Sequence, residues 1–237
     1  MIESDYLPEF PRTRHLPWNP NATDDDPISD KADAEILFTA PRVFVEEKVD
    51  GANCGIALVN GHPIVRNRSY ILHKGFNAKK TSAAKMQFAP LWNWYYQNQK
   101  CFKKLFDLAG PVSVYGEWML AQHGMEYDKL PSLFIAYDLY DYEALHYIDP
   151  GIARASLTEA GFAVVPLVHQ GPLTNYVEVE EWSNSESPYS TKAKREGLYI
   201  KVGDGRWLTH RFKMVRVTFK QGQLWNERTI NKNRVQK

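Results

Sequence analysis

Val45-Glu46-Glu47-Lys48-Val49-Asp50-Gly51-Ala52-Asn53 sets one lysine among acidic residues, directly after the apolar run Val43-Phe44-Val45 and just before an Asp-Gly turn signal. Two β-branched residues and a phenylalanine followed by a charged pair suit a strand that leaves a core at a cleft. An ordinary lysine amine has a pKa of about 10.4, so only ~1 in 10³ is unprotonated and nucleophilic at neutral pH. Desolvation and nearby cations disfavour the ammonium form, and a lysine at the end of a buried strand can receive both. Lys48 is therefore the first candidate for a reactive group. The plain alternative is a solvated lysine on a surface hairpin, and Lys-x-Asp-Gly alone is a weak pattern.

Further short patterns follow it in order: Arg66-Asn67-Arg68-Ser69, Tyr115-Gly116-Glu117, Phe134-Ile135-Ala136-Tyr137-Asp138, Glu196-Gly197-Leu198-Tyr199-Ile200-Lys201 and Arg211-Phe212-Lys213. With the Lys48 stretch, this series resembles the covalent nucleotidyltransferases, which comprise ATP-dependent DNA and RNA ligases and mRNA capping enzymes. It is most similar to the RNA ligase 2-like family. The resemblance implies an α+β nucleotidyltransferase (ligase adenylation domain) fold, with mostly antiparallel sheets flanked by helices around a nucleotide cleft. It also implies an ATP-dependent RNA ligase that uses ATP and Mg2+ (or Mn2+) and acts on RNA with 5′-phosphate and 3′-hydroxyl ends.

Each motif position then carries an implied role. Lys48 would attack the α-phosphorus of ATP, release pyrophosphate and hold AMP as a phosphoramidate, a step that is mostly positioning and charge neutralisation. Lys201 and Lys213 would serve the α-phosphate and depress the Lys48 pKa by like-charge repulsion. Arg211 stands where the family commonly has lysine, so charge is kept and geometry is not. Arg216 would serve the outer phosphates or RNA. Glu117 would hold the ribose hydroxyls, and Glu196 a metal ion through water. Tyr137 would stack on adenine, with Phe134 as its substitute in another register, and Glu47 would accept from the adenine amino group. Arg68 would bind the ribose or the 5′-phosphate, with Arg66 as its alternative. Asp50 and Asn53 would orient Lys48 and the phosphates during transfer. The plain readings are glutamates at strand ends, a core tyrosine and turn-forming Asp and Asn.

Composition bounds these readings. The chain has 237 residues, 43% hydrophobic and 13% aromatic, enough for one large domain. Net charge of +1 is uninformative, but nine Lys or Arg and no acids lie between Gly51 and Phe106, whereas residues 3–35 carry nine acids against three bases. A basic block beside Lys48 favours a phosphate-rich ligand, the alternative being a solvated helix face. Cys54 and Cys101 lack metal-site spacing and read as reduced thiols of a cytoplasmic protein, and His15, His73 and His123 read as structural. No export signal or run of ~18 apolar residues appears, so no membrane is expected as a partner.

Three segments are expected: an irregular proline-rich arm at 1–30, a nucleotidyltransferase domain at 31–217 and a basic tail at 218–237. Within the arm, Arg12-Thr13-Arg14-His15 could touch RNA or the triphosphate, or simply pack on the domain. Asn60-Gly61 predicts a hairpin that returns Arg66 and Arg68 beside Lys48 on one face. Helices are expected over 31–38, 82–108 and 150–160, the last closed by Gly161, and strands over 112–119, 133–139 and 162–168. Residues 183–194 read as a mobile loop. The resemblance ends near Arg216, short of the further domain that these enzymes carry, which suggests that a partner protein, or the arm and the basic block in its place, serves substrate binding. Rival readings are a minimal DNA ligase, a capping-type nucleotidyltransferase and a non-catalytic RNA-binding module.

Overall fold

The computed structural model describes residues 3–19, 21–22, 26–74, 86–220, 222 and 230–236. Its strands are β1 (Arg14–His15), β2 (Val43–Lys48), β3 (Ala52–Val59), β4 (His62–Asn67), β5 (Ile71–Leu72), β6 (Val112–Trp118), β7 (Phe134–Asp141), β8 (His146–Tyr147), β9 (Leu167–Gln170), β10 (Gly197–Gly203) and β11 (Leu208–Val215). Its helices are α1 (Glu3–Tyr6), α2 (Lys31–Ala34), α3 (Ile36–Thr39), α4 (Leu91–Gln97), α5 (Gln99–Ala109), α6 (Pro150–Ala160) and α7 (Tyr176–Ser183).

The strands form two sheets, ordered β1-β11-β10-β2-β9 and β5-β4-β3-β6-β7-β8. Every strand pairing is antiparallel except that of β1 with β11, which makes the fold α+β as expected. Alternation on β2 explains the layering. Val43 and Val45 join Leu198, Ile200 and Phe212 on one side of the first sheet, covered by Leu37 of α3 and Val179 of α7. Ile56, Val114 and Leu139 of the second sheet pack on Leu91, Phe102 and Leu157 from α4, α5 and α6. A third cluster joins the sheets, with Tyr199 from the first and Tyr115, Ile135 and Tyr137 from the second.

Local chemistry shapes several boundaries. Asn60 and Gly61 take positive φ of 50° and 77°, the geometry a two-residue hairpin turn requires. Asp149 caps α6 by accepting from the Gly151 and Ile152 amides, Pro150 opens it, and Gly161 at φ 93° closes it.

Other expectations need correction. The strand expected from Phe162 begins only at Leu167. Before it the chain crosses between sheets, with Ala163 and Val165 bonding Ala136 and the Pro166 carbonyl accepting from the Glu47 amide. The 183–194 loop is preceded by the unforeseen α7 and is tethered rather than loose. Ser187 donates to Glu47, the Thr191 amide to Asp128, and Lys192 to Glu126. Of the aromatic stripe, Tyr95 and Phe102 are buried but Met86 and Phe106 are exposed; residues 82–85 lie outside the described residues.

The arm is more ordered than its prolines suggested. Leu7 and Leu16 are fully buried, and β1 adds a parallel edge to β11. The described part of the tail docks too, through buried Asn233, which accepts from the Tyr127 amide and donates to the Met119 and Ala121 carbonyls. No helix among the described residues is long and apolar enough to cross a membrane.

Candidate active site

Strand register assembles the site. Gly197 stands opposite Lys48, Tyr199 opposite both Glu46 and Lys213, and Lys201 opposite Arg211. Alternate residues of a strand share a face, so Lys48, Tyr199, Lys201, Arg211 and Lys213 all project toward the second sheet. There Asn53 on β3 stands opposite Glu117 on β6. Gly197 is required by close approach, because a Cβ would lie 2.0 Å from the Met214 carbonyl oxygen.

Lys48 Nζ donates to Glu196 Oε1 at 2.6 Å, with the lysine side chain 30% exposed. Burial pushes this amine's pKa down, but Glu196, Glu117 and Asp50 outweigh burial and hold it above its ordinary value. The expected depressed, uncharged amine is therefore corrected, because the carboxylates around the resting Lys48 outweigh its burial. The same crowding acts on the acids. Burial pushes Glu117 up to about 8 against the pull of Lys48, and Glu196 up to about 7. Glu117 Oε2, Glu196 Oε2 and Asn53 Oδ1 are buried with no hydrogen-bond partner among the described residues.

Lys213 is half-buried and lies 3.6 Å from Asp26 of the arm, its pKa lowered by burial and by Lys48. Arg68 is exposed and lines the cleft beside Lys48 and Glu117. Tyr137 forms a wall of it, its hydroxyl accepting from Asn53 Nδ2 at 2.7 Å. Asp50 is buried beneath Lys48, its amide donating to the Tyr127 hydroxyl and its carboxylate accepting from the Gly124 amide. At the apolar end of the cleft stand Val49, Val165 and Tyr199.

Three predicted residues, Lys201, Arg211 and Arg66, sit away from the cleft, whereas Glu47 lines it. Lys201 is fully buried; its amine donates to Asp138 at 2.9 Å and the Tyr137 carbonyl at 2.7 Å, and it pairs ionically with Glu46 at 2.7 Å. Burial opposes its charge, but Asp138 and Glu46 outweigh burial. Its charge is met by two buried acids, so it reads as a strut between the sheets and not as a phosphate ligand. Arg211 lies against aromatic rings, 4.1 Å from the Tyr147 centroid and 5.1 Å from that of Phe10. Glu47 is buried at the wall of the cleft, one oxygen accepting from Ser187 and the other from Arg195, with acceptor capacity left on each. Arg66 does not share the face of Arg68. It is buried and ties down the arm through the Leu7 carbonyl and Glu9, since β4 ends at Asn67.

Sequence reasoning left the arm's share of the site open between ligand contact and packing. Phe10 packs edge-on to Tyr137 at 5.4 Å, and Arg12, Thr13 and His15 line the cleft with Lys48 and Lys213. His15 is held down to about 4 by burial and by Lys213, against the pull of Asp26. The signal was the unusual Arg12-to-His15 run, which carries no spacing rule. His123 was missed; it lines a pocket with Asp50 and Arg68 below Lys48. Among the described residues no group of three or more His, Cys, Asp or Glu could hold a metal. A divalent ion at Glu196 would need substrate phosphates and water to complete its shell.

Residues 41–220 match the family model described as RNA ligase. Among solved structures, a Naegleria gruberi RNA ligase with PPi is 18% identical, with a TM-score of 0.62 over 89% of this chain and 56% of that one. A mutant of that ligase with ATP and Mn is 18% identical, with a TM-score of 0.59 over 92% of this chain and 62% of that one. Another mutant, with AMP and Mn, is 20% identical at 0.57 over 78% and 52%. At these identities the likeness speaks for the fold, and the chain spans little more than half the length of these structures. No curated protein matches the sequence.

Proposed function

The chain belongs to the RNA ligase family, and from that premise we propose that it is an ATP-dependent RNA ligase that forms a lysyl-AMP intermediate on Lys48. The observation that carries this reading is the set of buried, unpartnered acceptors, Asn53 Oδ1, Glu117 Oε2 and Glu196 Oε2, gathered around one lysine in a cleft. Buried polar atoms are ordinarily paired, so an unpaired cluster at a nucleophile marks a place for ligand hydroxyls and hydrated ions.

In this reading adenine lies against Tyr137, at the end walled by Val49 and Val165, and the ribose hydroxyls satisfy Glu117 and Asn53. Lys213 and Arg68 draw in the α-phosphate, and Lys213 suits that task as a half-buried cation without a strong partner. Asp50 fixes the turn beneath Lys48. Lys48 attacks the α-phosphorus, releases pyrophosphate, passes AMP to a 5′-phosphate and leaves the 3′-hydroxyl to displace it. Mg2+ or Mn2+ held by Glu196 with phosphates and water would neutralise phosphate charge and draw Glu196 away from the Lys48 ammonium. The neighbouring structures with ATP, AMP and Mn support this choice of ligands.

The substrate proposed is RNA with 5′-phosphate and 3′-hydroxyl ends, with a partner protein supplying further substrate binding. The free cysteines Cys54 and Cys101 suit a cytoplasmic protein. The catalytic unit proposed is 31–217, with the arm and tail packed on it.

Incubation of the full chain with labelled ATP and a divalent cation is expected to leave label on the protein, and none on Lys48→Ala. Sealing of 5′-phosphate RNA in nicked, looped and single-stranded forms then identifies the end structure. Label from GTP but not ATP would favour a capping-type enzyme, and preference for a DNA 3′-hydroxyl strand a minimal DNA ligase. No adduct with either nucleotide would leave a non-catalytic RNA-binding module.

A further inference from the structure

The arm crosses the mouth of the Lys48 cleft between two anchors. On one side Phe10 sits among Tyr115, Tyr137 and Tyr147, and the Tyr115 hydroxyl donates to the Pro8 carbonyl at 2.6 Å. On the other, His15 is in register with Lys213, and the Leu16 amide donates to the Lys213 carbonyl at 3.0 Å. Arg12 and Thr13 hang between these anchors and line the cleft. Arg12 is exposed and has no ion-pair partner among the described residues. The corner beside it already holds an anionic group, because Asp26 Oδ1 lies 3.2 Å from His15 Nε2 and 3.6 Å from Lys213 Nζ.

Displacement at phosphorus puts the entering and leaving groups roughly in line. When the Lys48 nitrogen bonds to the α-phosphorus, the bond to the bridging oxygen breaks. Pyrophosphate leaves opposite Lys48 with the electron pair, and the amine's proton passes to solvent. In the next step a 5′-phosphate oxygen bonds to the same phosphorus. The phosphorus–nitrogen bond breaks, and Lys48 recovers its electron pair and takes up a proton. The departing pyrophosphate and the arriving 5′-phosphate therefore occupy the same side in turn.

We infer that Arg12, supported by Thr13, is the anion-binding element on that side, holding pyrophosphate as it leaves and the RNA 5′-phosphate as it enters. This rests on the function proposed above. A rigidly anchored arginine whose fork is not taken by a carboxylate suits both phosphates, which share charge and geometry and differ in what they are attached to.

The test uses the full chain loaded with labelled AMP on Lys48. Discharge of the label is followed against pyrophosphate, which regenerates ATP, and separately against a 5′-phosphate RNA strand. Arg12→Ala is expected to raise the half-saturating concentration of each by about tenfold or more, from loss of a charge-assisted hydrogen bond. Arg12→Lys is expected to recover much of the loss, and both variants to keep the parent melting temperature, as suits an exposed residue. Half-saturation unchanged in Arg12→Ala overturns the inference, and a change against only one phosphate overturns the shared site. An adduct that forms normally with Arg12→Ala discharge unaltered removes this inference alone, whereas no adduct on the parent chain removes it together with the function beneath it.

Discussion

Lys48 and Glu196 are 148 positions apart in the chain and meet in a 2.6 Å hydrogen bond. The resting Lys48 is thus an ammonium held by a carboxylate, and under the proposed function the neutral amine is reached when that carboxylate is drawn elsewhere.

Glu196→Gln removes the nearest of the charges that hold the Lys48 pKa up. Reaction of the ligand-free protein with an amine-directed reagent, followed against pH, is expected to report a Lys48 pKa below that of the parent. Adduct formation with ATP should fall in the same variant. A Lys48 profile that does not move would show that the hydrogen bond does not govern the amine.

Glu117 titrates near 8 when folded, against an ordinary 4.5. Its folded pKa is raised, so its contribution to stability is complete below pH 4.5 and is lost as pH rises toward 8. Glu196, raised to about 7, acts in the same direction over a narrower window. Glu117→Gln should therefore flatten the decline in stability between pH 5 and 8. At pH 8 it should be the more stable protein, by about 1–3 kcal/mol, the usual cost of an unpaired buried group. Denaturant melts at both pH values measure it.

Lys201 separates a structural role from a phosphate-binding one. Lys201→Met leaves Glu46 and Asp138 buried without their shared cation. Breaking such a set costs about 3–5 kcal/mol. A large fall in the urea midpoint is expected, with AMP affinity in the surviving folded fraction little altered. Normal stability with lost nucleotide affinity would return Lys201 to the phosphate site.

Tyr137 contributes a ring face and a hydroxyl. Tyr137→Phe loses only the acceptor for Asn53 and should weaken ATP binding no more than a few-fold. Tyr137→Ala loses the stacking surface, worth about 1–3 kcal/mol per base, and should weaken it by roughly tenfold or more. Equal losses in the two variants would assign the effect to the hydroxyl instead.

Much of this molecule could be read one residue after another. The β2 strand, the Asn60-Gly61 hairpin and the Asp149-to-Gly161 helix each follow from a few neighbouring residues whose conformational preferences agree. The order of the motifs likewise pointed to Lys48, Glu117, Tyr137, Glu196 and Lys213 as one constellation, and these are the residues found around a single cleft.

Folding in three dimensions settled which of several like residues does which job. Lys201 and Lys213 project from the same face of adjacent strands, yet Lys201 meets two buried acids while Lys213 meets the cleft, a difference set by strand register and the depth of each position. Arg66 and Arg68 lie two apart, and only the end of β4 at Asn67 sends one to the arm and the other to the cleft. Charge on a side chain is a local property. Whether that charge is spent inside the fold or left for a ligand depends on what distant segments bring within about 4 Å of it, and no stretch of chain contains that information alone.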